Sequence, residues 1–403
     1  MAVCVVLVAA TAVTTHIADR VFAAHASDRG APNGKAPRDV PPWGELNVYD
    51  IQIDPPQEYI DLTSTGDRVA IWRFDGMTAD QTHGLLVQSG LTDSQVASAM
   101  SPDNMTSTGR GTEIRPADDL LLSLDPLVRA QLYTRLAQCG NNVPMMVPYF
   151  IPEGNVESLF EGIRLGPEIL SVVRSLTYVR GAYHYFSDIE LVVNRIPTAE
   201  GRLELFKAFT REPAVMARLR IRPDTDIERI AAYWGALPGV RIEDIRPLLE
   251  AQRRLPDGGS ISLLYLLPRF AREHLYTFPP AVQGHASFDC HWTTMNFFQE
   301  TPDDRFADAA YTCAFVQSNY FHVASAGLCG DLVLVLNKKG EAIHSAVYLA
   351  DDIVFTKNGG NSARPWMLMR IKNLVGMYYA NANTDDPRIS IYRLKTRLAA
   401  TGR

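Results

Sequence analysis

The chain has 403 residues, of which 46% are hydrophobic and 21% are charged, and its formal net charge is -6. A chain of this length and apolar content can bury several hydrophobic cores, so we expect two or three domains. The net negative charge supplies no basic field for a phosphate backbone, and we therefore expect no nucleic-acid partner. We also expect no cofactor.

The N-terminus has features of an export segment. Ala2–Thr15 is a run of apolar and small residues, and its length suits a signal-peptide core better than the ~20 residues of a membrane span. Ala24-His25-Ala26 is similar to a signal-peptidase site, although Asp19 and Arg20 precede it. We therefore predict a signal peptide or membrane anchor at residues 1–26, with a buried N-terminal helix or a truncated start as the alternative.

The segment from 27 to 42 is rich in Gly, Pro, Asp and Lys and lacks apolar periodicity, which predicts a linker. Residues 43–280 are predicted to form a mixed, mainly helical region of unknown role. Helix starts are indicated at Asp125-Pro126 and Gly166-Pro167, because proline at the first helical position sacrifices no hydrogen bond. Pro279-Pro280 cannot continue a helix, so we place a domain boundary there.

Two patterns in this middle region leave a binding role open. Ala214–Arg222 alternates as a half-exposed strand whose outer face is basic. The arginines of that face are Arg218, Arg220 and Arg222. They either grip an anionic partner, such as a wall polymer or a phospholipid, or are solvated and paired with nearby acids. Tyr183–Phe186 either lines a ligand groove or packs in a core. His83 has no partner at ligand spacing, which favours a surface or packing role.

The strongest chemical signal is Phe288-Asp289-Cys290-His291-Trp292. Asp289 is a helix-capping residue placed directly before the cysteine, and an apolar run follows. The pattern predicts Cys290 in the first turn of a buried helix, where the backbone N-H groups and the helix dipole favour the thiolate. His291 is predicted to point away from the sulfur and to lie at the rim, because neighbouring helical side chains diverge by about 100°.

Two apolar strands are predicted after this helix. The first begins at Gly330-Asp331, and the second, Ala342–Leu349, carries His344 near its start. A cysteine nucleophile needs an imidazole within hydrogen-bond reach and a third group that orients the ring. His344 is the candidate base for Cys290.

These motifs, in this order and spacing, resemble the NlpC-type cysteine peptidases, papain-like enzymes that trim bacterial cell-wall peptides. The resemblance covers roughly Ser287–Tyr392. It implies a papain-like domain at 281–403, in which a helix packs on an antiparallel sheet, and the fold class of the whole chain is then α+β. It also implies a Cys290–His344 pair and hydrolysis of a peptide amide in the cell envelope or periplasm. The backbone N-H of Cys290 would contribute to the oxyanion hole.

The third site residue depends on strand register. If the turn after Leu349 is the two-residue Asp351-Asp352 turn, Lys357 shares the face of His344; a three-residue loop places Thr356 and Asn358 there instead. Lysine cannot accept the imidazole proton, whereas an asparagine carbonyl can. We therefore predict Asn358 as the third residue and keep Thr356 as the alternative.

Two further interpretations compete with the hydrolase. The first is a non-catalytic envelope binding or scaffold protein that keeps the hydrolase fold. The large helical region favours this interpretation. Zinc binding is the other option, because Cys290, His291, Cys313 and Cys329 supply ligand types, but their spacing matches no zinc pattern. Cys313 and Cys329 either form a disulfide or remain reduced in the core. The partner we expect is a cell-wall peptide or another amide, with membrane association only through the N-terminus.

Overall fold

The computed structural model describes residues 41–60, 69–280, 288–380 and 388–397. The predicted signal peptide or anchor lies outside these ranges, and so does the predicted linker apart from its last two residues. Within these ranges, no helix combines the length and the apolar character needed to cross a bilayer.

The strands are β1 (Glu45–Ile53), β2 (Trp72–Asp75), β3 (Met105–Thr108), β4 (Gly111–Ile114), β5 (Tyr149–Ile151), β6 (Tyr178–Arg180), β7 (Tyr183–Phe186), β8 (Glu212–Ile221), β9 (Gly259–Ser262), β10 (Tyr320–Val323), β11 (Leu332–Leu336), β12 (Ala342–Ala350), β13 (Ile353–Lys357), β14 (Trp366–Arg370) and β15 (Arg388–Leu394). All pairings among them are antiparallel.

The helices are α1 (Ala79–Gln88), α2 (Asp93–Ala99), α3 (Asp118–Ser123), α4 (Pro126–Cys139), α5 (Val143–Met146), α6 (Val156–Leu159), α7 (Pro167–Leu176), α8 (Ile189–Asn194), α9 (Ala199–Thr210), α10 (Ile227–Trp234), α11 (Ile242–Arg253), α12 (Arg269–His274), α13 (Cys290–Asn296), α14 (Ala309–Asn319) and α15 (Ile371–Tyr379). Helices together with antiparallel strands confirm the predicted α+β class.

Helices α4 and α7 begin at the predicted residues, Pro126 and Pro167. Asp125 accepts a hydrogen bond from the Leu127 N-H at 2.8 Å, with Pro126 as the first residue of α4. Pro167 opens α7 in the same way, after Gly166. These helices begin where predicted because capping depends only on the few residues at the helix end.

The chain divides into two compact units. Among the described residues, one unit combines those from 41 to Ile53 with Glu212–Val375 and β15, and the other contains those between Asp54 and Arg211 together with Gly376–Ala380. Cys290 therefore shares a unit with β8, β9 and α10–α12, which differs from the predicted boundary near Pro280. The preceding helix α12 already ends at His274, and the apolar core includes residues on both sides of the proline pair, from Trp43 and Leu263 to Trp292.

The unit that contains Cys290 is built around a six-stranded sheet in the order β10-β15-β11-β12-β13-β14, with a smaller sheet β1-β8-β9. Helix α13 packs on the large sheet. Trp292 and Met295 belong to the same apolar cluster as Val347 and Phe355, and the Trp366 indole N-H of β14 donates to Thr293 Oγ1 at 3.0 Å. The helix is thus fixed to both β12–β13 and the sheet edge.

Asp331, in the predicted Gly330-Asp331 motif, stabilises the fold through a buried ion pair and backbone hydrogen bonds. Its carboxylate is fully buried and forms a two-point ion pair with Arg393 of β15, at 2.8 Å for both contacts. The same carboxylate accepts the backbone N-H groups of Gly327 and Leu328 at 3.1 Å. Because a buried charge needs this degree of pairing, Asp331 joins the turn before β11 to the neighbouring strand.

The other unit contains the sheets β2-β4-β3 and β5-β7-β6. Tyr183–Phe186 is the central strand β7 of the second sheet, and Phe186 stacks on Phe209 at 4.6 Å, as the packing interpretation expects. Arg129 of α4 is fully buried, donates to Asp188 Oδ2 at 2.7 Å and also bonds the Leu121 carbonyl. This buried pair ties α4 to α3 and to the residue before α8.

Strand β8 has the predicted alternation, with its arginines on the exposed side. Arg222 forms a two-point ion pair with Glu45 at 2.8 Å. Arg218 donates to Ser260 Oγ at 3.0 Å and Arg220 donates to the Asp257 carbonyl at 2.9 Å. The interpretation of the basic face as paired with nearby acids is therefore supported for Arg222, whereas Arg218 and Arg220 donate to neutral groups.

We expect Asp331→Ala to lower the free energy of unfolding by about 3 kcal/mol, because the substitution removes a buried carboxylate that satisfies one arginine and two backbone N-H groups. Urea denaturation measures the loss. Asp308→Ala is the matched control, since Asp308 only caps α14 at the surface and its loss should cost about 1 kcal/mol. Equal losses in the two variants would contradict the structural role of Asp331.

Candidate active site

Cys290 is the first residue of α13, as predicted. Asp289 precedes it and accepts the Trp292 N-H at 2.9 Å, which fixes the helix start. The Cys290 side chain is buried, with 5% exposure. The helix has only seven residues, so the chemistry of the sulfur depends mainly on the side chains around it.

Two imidazoles surround this sulfur. Burial by itself raises the pKa of the Cys290 thiol, but the charges and hydrogen bonds of His291 and His344 outweigh it and hold the pKa well below its ordinary value. Because the thiolate rather than the thiol attacks carbon, this environment provides an activated nucleophile.

The His344 ring is oriented by Thr356. The ring Nε2 lies 2.9 Å from Thr356 Oγ1, and both side chains are fully buried. The Thr356 hydroxyl donates to the Ser345 carbonyl at 3.3 Å, and a carbonyl can only accept. The hydroxyl oxygen is then the acceptor for a proton on Nε2, which leaves Nδ1 as the basic nitrogen for the Cys290 thiol.

Strand register brings Thr356 to this place. Ala350 pairs with Ile353 across the two-residue Asp351-Asp352 turn, and Asp351 has a positive φ of 54°. The register then shifts between Tyr348 and Ala350, and Val347 pairs with Phe355. One extra residue in β12 therefore puts Thr356 on the face of His344, although the turn is the short one.

Asn358, the predicted third residue, has another partner. Its Nδ2 donates to Glu212 Oε2 at 2.6 Å, and Glu212, fully buried at the start of β8, also forms an ion pair with Arg364. A buried carboxylate attracts every nearby donor, and the amide is oriented toward it. The alternative residue, Thr356, is the one that contacts the imidazole.

The expectation that His291 points away from the sulfur is wrong. His291 bonds the Cys290 side chain, and its Nδ1 lies 2.9 Å from Ser345 Oγ. Two adjacent residues of β12 face the first two residues of α13. His344 interacts with Cys290, and Ser345 contacts His291. A divergence of about 100° between neighbouring helical residues therefore does not separate them when one strand supplies partners to both.

Lys357 is a further basic group whose charge interacts with the sulfur. Its side chain is fully buried, and Nζ donates to the carbonyls of Gly359 at 2.7 Å and Asn361 at 2.9 Å. Burial lowers its pKa to about 8, against the opposing charges of Cys290 and Asp289. The ammonium therefore fixes the loop after β13 close to the candidate site. No signal in the sequence marked this role, because a lysine on a strand is usually exposed.

The competing metal interpretation finds no support in the described part of the chain. No group of three or more His, Cys, Asp or Glu side chains in these ranges is placed to hold a metal ion. Cys313 and Cys329, for which a disulfide was one option, are not disulfide-bonded, and neither are Cys139 and Cys290. His83 is exposed on α1, in agreement with a surface role.

We expect Thr356→Val to slow alkylation of Cys290 near neutral pH by about tenfold, because the His344 ring loses the acceptor that fixes its tautomer. Thr356→Ser keeps the hydroxyl and should retain most of the rate. Asn358→Ala should reduce stability without a comparable change in alkylation rate. Mass spectrometry of iodoacetamide-treated protein measures the rates, and equal slowing by Val and Ser would contradict the assignment.

Lys357 should make stability depend on pH in a defined window. Its folded pKa of about 8 lies below the ordinary value of 10.5, so the unfolded chain binds more protons between these values, and the free energy of unfolding gained from this group rises with pH there. Urea titrations of wild type and Lys357→Met should diverge in favour of wild type from pH 8 to 10. A constant difference across this range would contradict the shifted pKa.

No protein-family model, no curated protein and no solved structure matches the chain. The resemblance to NlpC-type cysteine peptidases therefore stays a prediction that rests on the motifs around Cys290, Asp331 and His344.

Proposed function

We propose that this chain is a cysteine hydrolase that cleaves an amide bond. In this proposal Cys290 is the nucleophile, His344 is the general base and acid, and Thr356 orients the imidazole. The single observation that carries it is the position of the buried His344 ring, which favours the thiolate of Cys290 and whose Nε2 lies 2.9 Å from the Thr356 hydroxyl. Such a series has the three roles that thiol-dependent acyl transfer requires.

The reaction follows from this arrangement in two halves. The Cys290 thiolate attacks the carbonyl carbon, a C-S bond forms, and the carbonyl electron pair moves to oxygen. As the C-N bond breaks, the protonated Nδ1 of His344 gives its proton to the leaving amine, which leaves a thioester. Nδ1 then takes a proton from water, the hydroxide attacks the thioester, and the C-S bond breaks to give a carboxylic acid and the thiolate.

The substrate proposed is a peptide of the bacterial cell wall. This choice comes from the resemblance of the Asp289-Cys290 and His344 motifs to NlpC-type enzymes, and fold resemblance alone does not fix a substrate. Action in the cell envelope follows from the same resemblance and from the predicted export segment at 1–26. The backbone N-H of Cys290 is the proposed first donor to the oxyanion.

A second candidate is a non-catalytic envelope binding or scaffold protein that keeps the hydrolase fold. The observation that favours it is the burial of the reacting groups, since Cys290 is 5% exposed and His344 is fully buried. A substrate carbonyl has to reach the sulfur, and an inert core cysteine would be equally hidden.

The pH dependence of iodoacetamide labelling separates the two candidates. We expect Cys290 in the folded wild-type chain to label with an apparent pKa well below the ~8.5 of a free thiol, because the imidazoles favour the thiolate. His344→Ala should raise that apparent pKa. Labelling of Cys290 only after denaturation, in wild type and variant alike, would support the scaffold and contradict the enzyme.

A direct activity assay completes the test. Wild type incubated with purified peptidoglycan peptides should release new amines and carboxylates, detectable by mass spectrometry. Cys290→Ser should lose this activity because an alcohol is a far weaker nucleophile at neutral pH. A thiolate-bearing protein that cleaves no wall peptide would overturn the substrate and leave amide hydrolysis to be tested on other peptides.

A further inference from the structure

The second histidine at the sulfur, His291, belongs to a hydrogen-bonded chain of hydroxyl groups. Thr294 Oγ1 lies 3.0 Å from the Cys290 carbonyl and 3.1 Å from the His291 carbonyl. It also lies 2.9 Å from Ser345 Oγ, which in turn lies 2.9 Å from His291 Nδ1. The chain thus runs from a ring nitrogen through two hydroxyls to the backbone of α13.

The direction of each bond follows from counting protons. A hydroxyl has one proton, and a carbonyl accepts only, so Thr294 donates to the helix carbonyls. Toward Ser345 it is then an acceptor, and the single proton of Ser345 points to Thr294. Ser345 in turn accepts from His291, and Nδ1 must carry a proton.

The remaining surroundings of His291 are also acceptors or anions. The Ala342 carbonyl, the Cys290 sulfur and the Asp289 carboxylate all favour a protonated ring. Burial by itself lowers the pKa of His291, but these groups outweigh it and raise the pKa to about 9. The Ser345 hydroxyl thus fixes a proton on Nδ1, and the surrounding acceptors and anions favour a second proton on the ring.

We propose that His291 is a fixed cation of this site, a positioning residue that holds Cys290 as a thiolate while His344 alone moves protons. The two histidines differ because their hydroxyl partners differ. Thr356 accepts the proton on Nε2 of His344, so Nδ1 of that ring can act as a base. Ser345 and the Ala342 carbonyl both accept protons from His291, so the His291 ring acts only as a donor. The role of His291 in catalysis rests on the proposed hydrolase function. The ion pair between His291 and the Cys290 thiolate does not depend on that function.

The fixed cation has a chemical consequence during turnover. When the proton on His344 passes to the leaving amine, His344 becomes neutral and no longer supports a negative charge nearby. His291 remains charged through that step and through the attack of water. It therefore stabilises the thiolate, together with the His344 ring that water has protonated again, when the sulfur leaves the thioester.

The test compares His291→Gln with wild type in the full chain, using iodoacetamide and iodoacetate as probes. Gln keeps a donor but removes the charge. We expect the apparent pKa of Cys290 labelling to rise by at least about one unit, so that labelling below both pKa values slows about tenfold. The preference for the anionic reagent, iodoacetate over iodoacetamide, should also fall, which a purely structural role of His291 would not cause.

Two further variants keep the inference falsifiable if His291→Gln folds poorly. Ser345→Ala removes the acceptor for Nδ1 and should shift the labelling profile in the same direction by a smaller amount. His322→Gln is the matched control, because His322 is exposed on β10 and contacts Tyr392 instead. It should leave both the pH profile and the reagent preference unchanged.

Nitrogen NMR of histidine-labelled protein gives an independent readout. Both ring nitrogens of His291 should remain protonated from pH 5 to about 8 in the unmodified protein. A neutral His291 at pH 7, or an unchanged labelling profile in His291→Gln, would overturn this inference alone. A wild-type Cys290 that does not label in the folded state would instead overturn the proposed hydrolase.

Discussion

A negative charge on a buried sulfur is the interaction on which the rest of this site depends. Desolvation opposes the Cys290 thiolate, so the charge persists only if cations and donors surround it. His291, His344 and the ammonium of Lys357 provide that environment. The Asp289 cap and the packing of α13 on the sheet hold the sulfur among them, since small displacements would leave the charge without compensation.

Hydroxyl groups decide what each imidazole can do. Thr356 and Ser345 both contact a histidine nitrogen at 2.9 Å, yet their protons go to different acceptors and leave the rings in different states. A neutral hydroxyl carries no net charge and still fixes a tautomer, because it has one proton to give. Two residues that differ little in chemistry thus divide proton transfer from charge stabilisation.

Residues that look catalytic by motif are in several places structural. Asp331 pairs with Arg393 and caps a turn, and Asn358 serves the buried Glu212. Asp331 lies directly before β11, the strand that pairs with β12, and Asn358 directly follows β13, so both stabilise the ends of strands that position the site. A polar residue in a motif therefore indicates a demanding backbone position at least as often as a reacting group.

Local chemistry in the sequence determined the start of α13 at Cys290 and the alternation of β8. The α+β class and the pairing of Cys290 with His344 were expected from the resemblance to NlpC-type enzymes. Capping and periodicity depend on a few neighbouring residues, so they can be predicted from the chain alone. Only the tertiary structure decided that Thr356 rather than Asn358 meets His344, and that His291 faces the sulfur. One extra residue in β12 changes the register of β13, and this places Thr356 on the face of His344. The direction of the His291 side chain depends on the hydrogen-bond partners that neighbouring elements provide, here Ser345 of β12.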